Sequence, residues 1–422
     1  MLPLIAILIF SIIILRWNYF KFQGLSRWAI IVVFLLKIVA GYLSFKYHNI
    51  YFAGGDGSIY LNSGRNLVDS SHKNPLTYFK LFTNQNRNEP GWEETYQQII
   101  YWDPEKGSEF IDDNRTAIRI NSLISLLSFR SIGAHIILLI FLSLIGLMAL
   151  YKIFRKWFEN VYPPAIFFAV FLSPSIIFWT SGILKETHTI FILGLFLFQL
   201  SIMLDRRNYS SILWTILLGI LLLLARTYLS IALIIPVLFL VISSFLKTDS
   251  ILKSIGLTLA ITTAAFILLN VNGVDLFKML SAKQADFNLI GINANSFFHI
   301  AELSQPLDII KYMPIALINV YLQPQLFSFE SWLYIFPIIE NIDLITMIIF
   351  AFIYYKSPNK KETKYLIFVL LIWIIGGWII GLTVPIQGAI ARYKSVLIPF
   401  LLMSVIAIAD WDRLKTKYLK EE

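Results

Sequence analysis

The stretch that decides the fold is Ser131-Ile-Gly-Ala-His-Ile-Ile-Leu-Leu-Ile-Phe-Leu-Ser-Leu-Ile-Gly-Leu-Met-Ala-Leu-Tyr151, which contains no Asp, Glu, Lys or Arg. A helix needs about 17–25 mostly apolar residues to cross the hydrocarbon core of a bilayer. This stretch is long enough, and similar stretches recur along the chain. The sequence therefore predicts an all-α, polytopic transmembrane helix bundle of about 11 spans.

The composition supports the same fold class. Of 422 residues, 57% are hydrophobic and 14% are charged, whereas soluble domains carry about 25% charged residues. The absence of cysteine excludes disulfides, thiolate zinc sites and cysteine nucleophiles. The net charge is +9, but the basic residues are scattered through short loops, so membrane topology explains them better than a nucleic-acid partner. The first apolar segment lacks a basic n-region and a cleavage site, which favours a retained helix over a signal peptide.

The distribution of basic residues between the spans predicts an orientation. The candidate spans lie at about 2–15, 28–45, 131–151, 161–180, 187–204, 210–225, 228–246, 251–270, 335–355, 365–383 and 393–409. With this arrangement one side of the membrane receives the Lys and Arg of six short loops and tail segments: Arg16, Lys21, Arg27, Lys152, Arg155, Lys156, Arg206, Arg207, Lys247, Lys253, Lys356, Lys360, Lys361, Lys364, Arg413, Lys415, Lys417 and Lys420. The positive-inside rule makes that side cytoplasmic. An integral plasma (inner) membrane protein with its N-terminus outside and its C-terminus inside is predicted.

Four regions follow from this topology. Residues 1–27 form an extra N-terminal span and a cytoplasmic loop. Residues 28–270 form the transmembrane core with a large outer first loop, 46–130, that carries surface helices. Residues 271–334 form a second outer segment, in which 309–322 is too short to span easily and predicts an interfacial or re-entrant helix. Residues 335–422 provide the last spans and a basic cytoplasmic tail.

The outer loop ends in an amphipathic pattern. Over residues 114–128, Arg115, Arg119 and Ser122 share one helical face, while Leu123 and Leu127 share another with neighbouring isoleucines. This predicts a helix lying on the outer surface of the membrane.

The same loop begins with a carboxylate in a flexible setting. Asp56 lies in Phe52-Ala-Gly-Gly-Asp-Gly-Ser-Ile-Tyr60, and the flanking glycines allow a tight bend and a close approach to a ligand. Tyr60 lies one helical turn further on. A structural alternative is that Asp56 or Ser58 only caps a helix.

A second charged group opens a span on the same side of the membrane. Lys185, Glu186 and His188 follow the Pro174-Ser segment. Glu186 favours a helix N-terminus, but Lys185 is unfavourable there. His188 is a candidate ligand contact, although a lone histidine in this position is more often without a function.

Single cations mark two further outer connections. Arg226 follows one apolar span, and Arg392-Tyr393 precedes another. Snorkelling of a long side chain is the structural alternative, but arginine on the outer side opposes the positive-inside bias. Lys37 lies in the middle of a span, where either a function or pairing with another helix would account for it.

Together these residues indicate a chemistry. Cations at a membrane surface suit a phosphate or pyrophosphate head group, and a carboxylate beside them suits a general base acting on a hydroxyl. Group transfer from a phospholipid-like donor at the outer leaflet is the implied reaction.

The arrangement resembles the GT-C superfamily of integral-membrane glycosyltransferases. The resemblance rests on Asp56-Gly-Ser-Ile-Tyr60 at the start of a large outer loop, the arginine-bearing helix that closes the loop, Pro174-Ser with Glu186, and Arg392-Tyr393. It implies an inverting enzyme with Asp56 and Glu186 as catalytic residues and a polyprenyl-phosphate-linked sugar as donor. Substrate contacts would come from Tyr60, Lys185, His188, Arg226, Arg392, Tyr393, Arg115 and Arg119. The first span and the single acid of the motif depart from the usual pattern.

Other functions stay open on the sequence alone. The Gly-Asp-x-x-x-Tyr pattern with outer arginines is also similar to O-antigen and exopolysaccharide polymerases, which use the same donor class. A lipid-linked glycan transporter or flippase predicts charges on both faces and internal repeats, and neither is evident. The implied partners are the lipid-linked sugar, a glycan or lipid acceptor and the bilayer, with no nucleic acid. No cofactor is certain, although Mg²⁺ or Mn²⁺ would be compatible with the chemistry.

Overall fold

The computed structural model describes residues 1–52, 54–70, 75–83, 99, 101–102, 112–246, 250–323 and 335–413. Within these ranges the regular elements are helices, together with three isolated β-bridges. Parts of the outer loop 46–130, of the segment 271–334 and of the loop at 247–253 lie outside the described residues, as does the tail beyond Arg413. The chain divides into two compact units, Met1–Lys152 with Ile176–Thr227 and Ile153–Ser175 with Tyr228–Glu422.

The helices occur in this order along the chain: α1 Leu2–Arg16, α2 Arg27–Tyr51, α3 Gly55–Asp69, α4 Pro75–Thr83, α5 Asp113–Leu127, α6 Ile132–Trp157, α7 Pro163–Phe167, α8 Pro174–Trp179, α9 Lys185–Arg206, α10 Tyr209–Ala225, α11 Thr227–Phe245, α12 Ile251–Val271, α13 Leu276–Gly291, α14 Asp308–Lys311, α15 Met313–Tyr321, α16 Ile335–Ile353, α17 Lys360–Thr383, α18 Gln387–Lys394 and α19 Ile398–Ile406.

Among the described residues, six helices are long and apolar enough to cross a membrane: α2, α6, α9, α11, α12 and α17. A seventh span would be the pair α18 and α19, which is bent by 61°. The helices α1 and α10 are apolar but shorter, and so is the stretch Pro163–Leu172. An all-helical fold with several helices capable of crossing a membrane is therefore confirmed, while the count of eleven spans stays a prediction.

Two of the predicted spans are interrupted. In the region 161–180, helix α7 continues as a π-helical turn, Phe168–Leu172, and the chain then becomes extended at Ser173 before α8. Pro174 lacks the amide N–H that a continuous helix needs, which explains the break. In the region 393–409, Pro399 lies at the start of α19, a position where proline is tolerated, so a new helix begins there after a bend.

In the first unit, helices α6 and α9 are in direct backbone contact. A Cβ built on Gly146 would lie 2.3 Å from the carbonyl oxygen of Ile190, and one on Gly194 would lie 2.1 Å from that of Gly146. Small residues at such a crossing let two apolar helices pack closely in a membrane. This contact fixes α9, whose first turn carries the charged residues discussed below.

The amphipathic helix predicted at the end of the outer loop is α5. Its polar face is buried, with Arg115 2% and Ser122 0% exposed, whereas Leu123 and Leu127 are 45% and 64% exposed. Asp112 caps the helix by accepting hydrogen bonds from the backbone N–H groups of Asn114 and Arg115. The arginines thus face the protein interior while Leu123 and Leu127 face outward, although Ile124 of the predicted apolar face is buried as well.

In the second unit, the helix predicted within 309–322 is α15. It packs along α17, where a Cβ on Gly381 would lie 2.2 Å from the carbonyl oxygen of Ala316. The hydroxyl of Tyr321 donates to the carbonyl of Trp373, 2.7 Å away, in the middle of α17. A short, nine-residue helix is therefore present in this region, while its interfacial or re-entrant position in the membrane stays a prediction.

Candidate functional site

The first turn of α3 places Asp56. The chain enters the helix through Gly54 and Gly55, whose φ values of 93° and 52° lie in the left-handed region that favours glycine. Gly54 is the N-cap, so the proposed capping role of Asp56 and Ser58 is wrong. Asp56 is partly exposed in the first turn, where the positive end of the helix dipole favours a carboxylate.

Tyr60 lies one turn further along the same face of α3. It is buried, and its hydroxyl donates to the side-chain oxygen of Asn114, 2.9 Å away. The ammonium nitrogen of Lys185 lies 5.5 Å from the centre of the Tyr60 ring, which is within cation–π range. The face of α3 that carries Asp56 and Tyr60 therefore contacts both α5 and the start of α9.

The charged residues of the first unit form a network of ion pairs. Lys185 Nζ lies 2.8 Å from Asp113 Oδ1, and Arg226 Nη1 lies 3.4 Å from Asp113 Oδ2. The other guanidinium nitrogen of Arg226 donates to Glu186. We call these four residues, Asp113, Lys185, Glu186 and Arg226, the Asp113 network. All but Asp113 are at least nine-tenths buried, so each depends on an opposite charge to offset its lost hydration.

His188 lies at the edge of this network. Its side chain is 2% exposed, and neither ring nitrogen has a hydrogen-bond partner within the part of the chain that the structure describes. Arg226, Lys185 and Asp113 are close enough to act on it electrostatically. A buried imidazole with both nitrogens unused can accept from or donate to a hydroxyl or a water molecule.

The predicted arginines of α5 lie on the same helix as Asp113. The Nε of Arg115 is 3.6 Å from Asp112, and the Nε of Arg119 donates to the carbonyl oxygen of Phe82 at 2.8 Å. Both guanidinium groups stack near Trp102, at 5.7 and 5.0 Å from its ring centre. Burial and the neighbouring charge of Arg115 lower the pKa of Arg119 to about 10. Through these contacts, both arginines already stabilise the structure around Trp102.

Arg392 and Tyr393 belong to the second unit. The guanidinium of Arg392 lies 5.2 Å from the centre of the Tyr393 ring, and that ring packs against Tyr228 and Phe287. The predicted meeting of Arg392 and Tyr393 with the residues of the first unit in one outward-facing cavity stays a prediction.

Sequence reasoning overlooked Asp113 and Asn114, which connect the other residues. A signal was present, because Asp112-Asp113 is a pair of acids immediately before a helical pattern that contains two arginines. The resemblance directed attention to Asp56 as a single acid, whereas the structure pairs the cations with an acid at the far end of the same loop.

A metal site has no obvious set of ligands. The described ranges contain no group of three or more His, Asp or Glu side chains placed to hold a metal ion. The use of Mg²⁺ or Mn²⁺ stays a prediction.

Comparison of the chain with protein-family models, with curated proteins and with solved structures found no match.

Proposed function

We propose that this protein is an inverting membrane glycosyltransferase that moves a sugar from a polyprenyl-phosphate-linked donor to a hydroxyl of an acceptor glycan or lipid. The observation that carries the proposal is the placement of Asp56 and Tyr60 on one face of α3, with Lys185 over the Tyr60 ring and the Asp113 network behind it. A carboxylate at the edge of a buried group of cations can serve a hydroxyl nucleophile and a phosphate leaving group together.

In the proposed step, the acceptor hydroxyl attacks the anomeric carbon of the donor sugar. Its proton passes to the carboxylate of Asp56, and a new glycosidic bond forms on the face opposite to the phosphate. The bond between the anomeric carbon and the phosphate oxygen breaks, and its electron pair leaves with polyprenyl phosphate. Cations near that oxygen would stabilise the developing negative charge.

The contacts divide the roles of the two proposed catalytic acids. Glu186 is committed to Arg226, so we assign the base to Asp56 and give Glu186 the task of holding Arg226. Lys185 and Arg226 share Asp113, so a donor phosphate would add to this network or displace Asp113 from one cation. His188, with its unused ring nitrogens, is the proposed contact for a sugar hydroxyl.

The topology belongs to the same proposal. Eleven spans, an outer first loop at 46–130, a cytoplasmic C-terminus and a plasma (inner) membrane location would place Asp56, Lys185 and Arg226 at the outer face. A lipid-linked donor would reach them sideways from the bilayer, because its polyprenyl tail stays in the hydrocarbon core. Arg115, Arg119, Arg392 and Tyr393 are proposed as further substrate contacts in cell-surface glycan assembly.

The proposal is tested by mass spectrometry of lipid-linked intermediates in cells with and without the gene. Accumulation of a lipid carrying one sugar, or a glycan missing one, is expected. Accumulation of complete repeat units would instead favour the polymerase alternative. Lipid-linked intermediates that do not change when the gene is removed would contradict both.

A further inference from the structure

Lys37 is a fully buried cation of the first unit that does not belong to the Asp113 network. It lies in the middle of α2, and its side chain is 0% exposed. Its ammonium nitrogen lies 3.4 Å from the carbonyl oxygen of Ile176, 3.0 Å from that of Thr180 and 2.6 Å from the hydroxyl of Thr180. Three N–H donors thus meet three oxygens.

The two Thr180 oxygens lie just past the C-terminal end of α8, and the Ile176 carbonyl, which also accepts from the backbone N–H of Thr180, lies in the last turn of that helix. The last carbonyls of a helix have no partner within it, and a lysine is a favourable cap because its charge also complements the dipole. In apolar surroundings an unsatisfied carbonyl is costly. Lys37 therefore stabilises the end of α8 at a fixed place on α2.

The loop that follows, residues 180–184, is held on the same face of α2. One turn after Lys37, a Cβ built on Gly41 would lie 2.2 Å from the carbonyl oxygen of Ser181, so the backbones of the loop and of α2 touch. On the opposite side, a Cβ on Gly57 of α3 would lie 2.9 Å from the carbonyl oxygen of Ile183. The loop is clamped between two helices.

The clamped loop leads directly into the network. Its next residues are Lys185 and Glu186, and the hydroxyl of Thr187 donates back to the carbonyl of Gly182 at 2.7 Å. A shift of the loop would move the first turn of α9, and with it the ammonium group that pairs with Asp113.

We infer that Lys37 is a positioning residue, which holds the loop 180–184 and thereby sets the place of Lys185 and Glu186 in the Asp113 network. The positioning itself is independent of the reaction, but its value for catalysis rests on the proposed function. Lys37 thus orients the site from a distance and does not itself contact the substrate.

Hydrogen–deuterium exchange of the purified full-length protein tests this inference. In Lys37→Met, amides of residues 180–187 should exchange at least about tenfold faster than in the wild type, because the loop loses its charged donor. Amides of α12, which has no part in the clamp, should be unchanged. Lys37→Arg, which keeps charge and donors, should restore much of the protection, and Lys46→Met on the same helix is the control for loss of charge alone.

Unchanged exchange at 180–187 in folded Lys37→Met would overturn the inference. If Lys37→Met fails to fold, Thr180→Val decides, because it removes only one of the three acceptors. Faster exchange confined to 180–187 would support positioning, and unchanged exchange would overturn it. For the proposed reaction, Lys37→Met should lower kcat more than it raises KM. A wild-type protein without transferase activity would refute the proposed function while leaving the exchange result intact.

Discussion

Lys185 Nζ and Asp113 Oδ1 lie 2.8 Å apart, and each belongs to the first residue of a helix. A cation at a helix N-terminus is unfavourable, because it meets the positive end of the dipole. Asp113 provides the missing counter-charge while it favours its own helix N-terminus. The pair therefore explains how a lysine is accommodated at the start of α9, and it joins α5 to α9.

Loss of Glu186 should destabilise the protein. Glu186→Gln removes one counter-charge of the buried Arg226 guanidinium, whose contact to Asp113 is longer, and breaking a buried ion pair from one side costs about 3–5 kcal/mol. The decrease in the thermal unfolding temperature of the purified protein in detergent measures this loss of stability. Arg226→Met combined with Glu186→Gln should cost less than the sum of the single changes, because no charge is then left unpaired.

The matched control is the exposed pair Glu159–Lys361, whose side chains are 66% and 58% exposed. Glu159→Gln should change the unfolding temperature little, since solvent screens such a pair. If Glu186→Gln and Glu159→Gln lowered the unfolding temperature equally, the conclusion that the buried Asp113 network contributes more stability than an exposed pair would be contradicted.

The orientation can be tested with single cysteines, because the chain has none of its own. Arg207 follows α9 and Asn272 follows α12, and both are exposed. In intact cells, a membrane-impermeant maleimide should label Asn272→Cys but not Arg207→Cys, whereas both should react after permeabilisation. The reverse pattern would place the network on the cytoplasmic face and would rule out transfer at the outer leaflet.

The contact between α15 and α17 should depend on glycine. Gly381→Val would drive a side chain into the backbone of Ala316, since even its Cβ would lie 2.2 Å from that carbonyl oxygen. Overpacking of this kind costs about 1–3 kcal/mol. Gly256 in α12 is the control, because nothing lies within 4 Å of a Cβ built there. Equal unfolding temperatures for Gly381→Val and Gly256→Val would contradict the conclusion that Gly381 allows α15 to pack closely on α17.

Much of the fold follows from hydropathy, because a long apolar stretch has few alternatives to a spanning helix. The breaks were harder to predict. The regions 161–180 and 393–409 are as apolar as true spans, yet Pro174 and Pro399 begin new helices there. The geometry of each break depends on which neighbouring groups form hydrogen bonds with the backbone N–H and C=O groups that the break leaves without a helical partner. In the second unit, Glu340 accepts hydrogen bonds from the hydroxyl of Ser173 and the backbone N–H of Ser175 beside one break.

For the candidate site, the sequence identified residue types but not their partners. Asp56, Lys185, Glu186 and Arg226 stood out because charge is rare near apolar spans. Asp113 did not stand out, since it lies in a polar loop where an acid is ordinary. Its importance comes from packing over long sequence distances, which brings it to Arg226, 113 residues away. No local pattern encodes such a contact.

The most direct test of the central claim measures how fast purified protein releases polyprenyl phosphate. The substrate is the lipid-linked sugar that accumulates in cells lacking the gene, and mass spectrometry detects the product. Asp56→Asn keeps the size of the side chain but removes its basicity, so the rate should fall roughly 10²–10⁴-fold without loss of folded protein. Asp69→Asn, at the other end of α3, should keep the wild-type rate. A near-normal rate for Asp56→Asn would contradict its role as the base and with it the proposed mechanism.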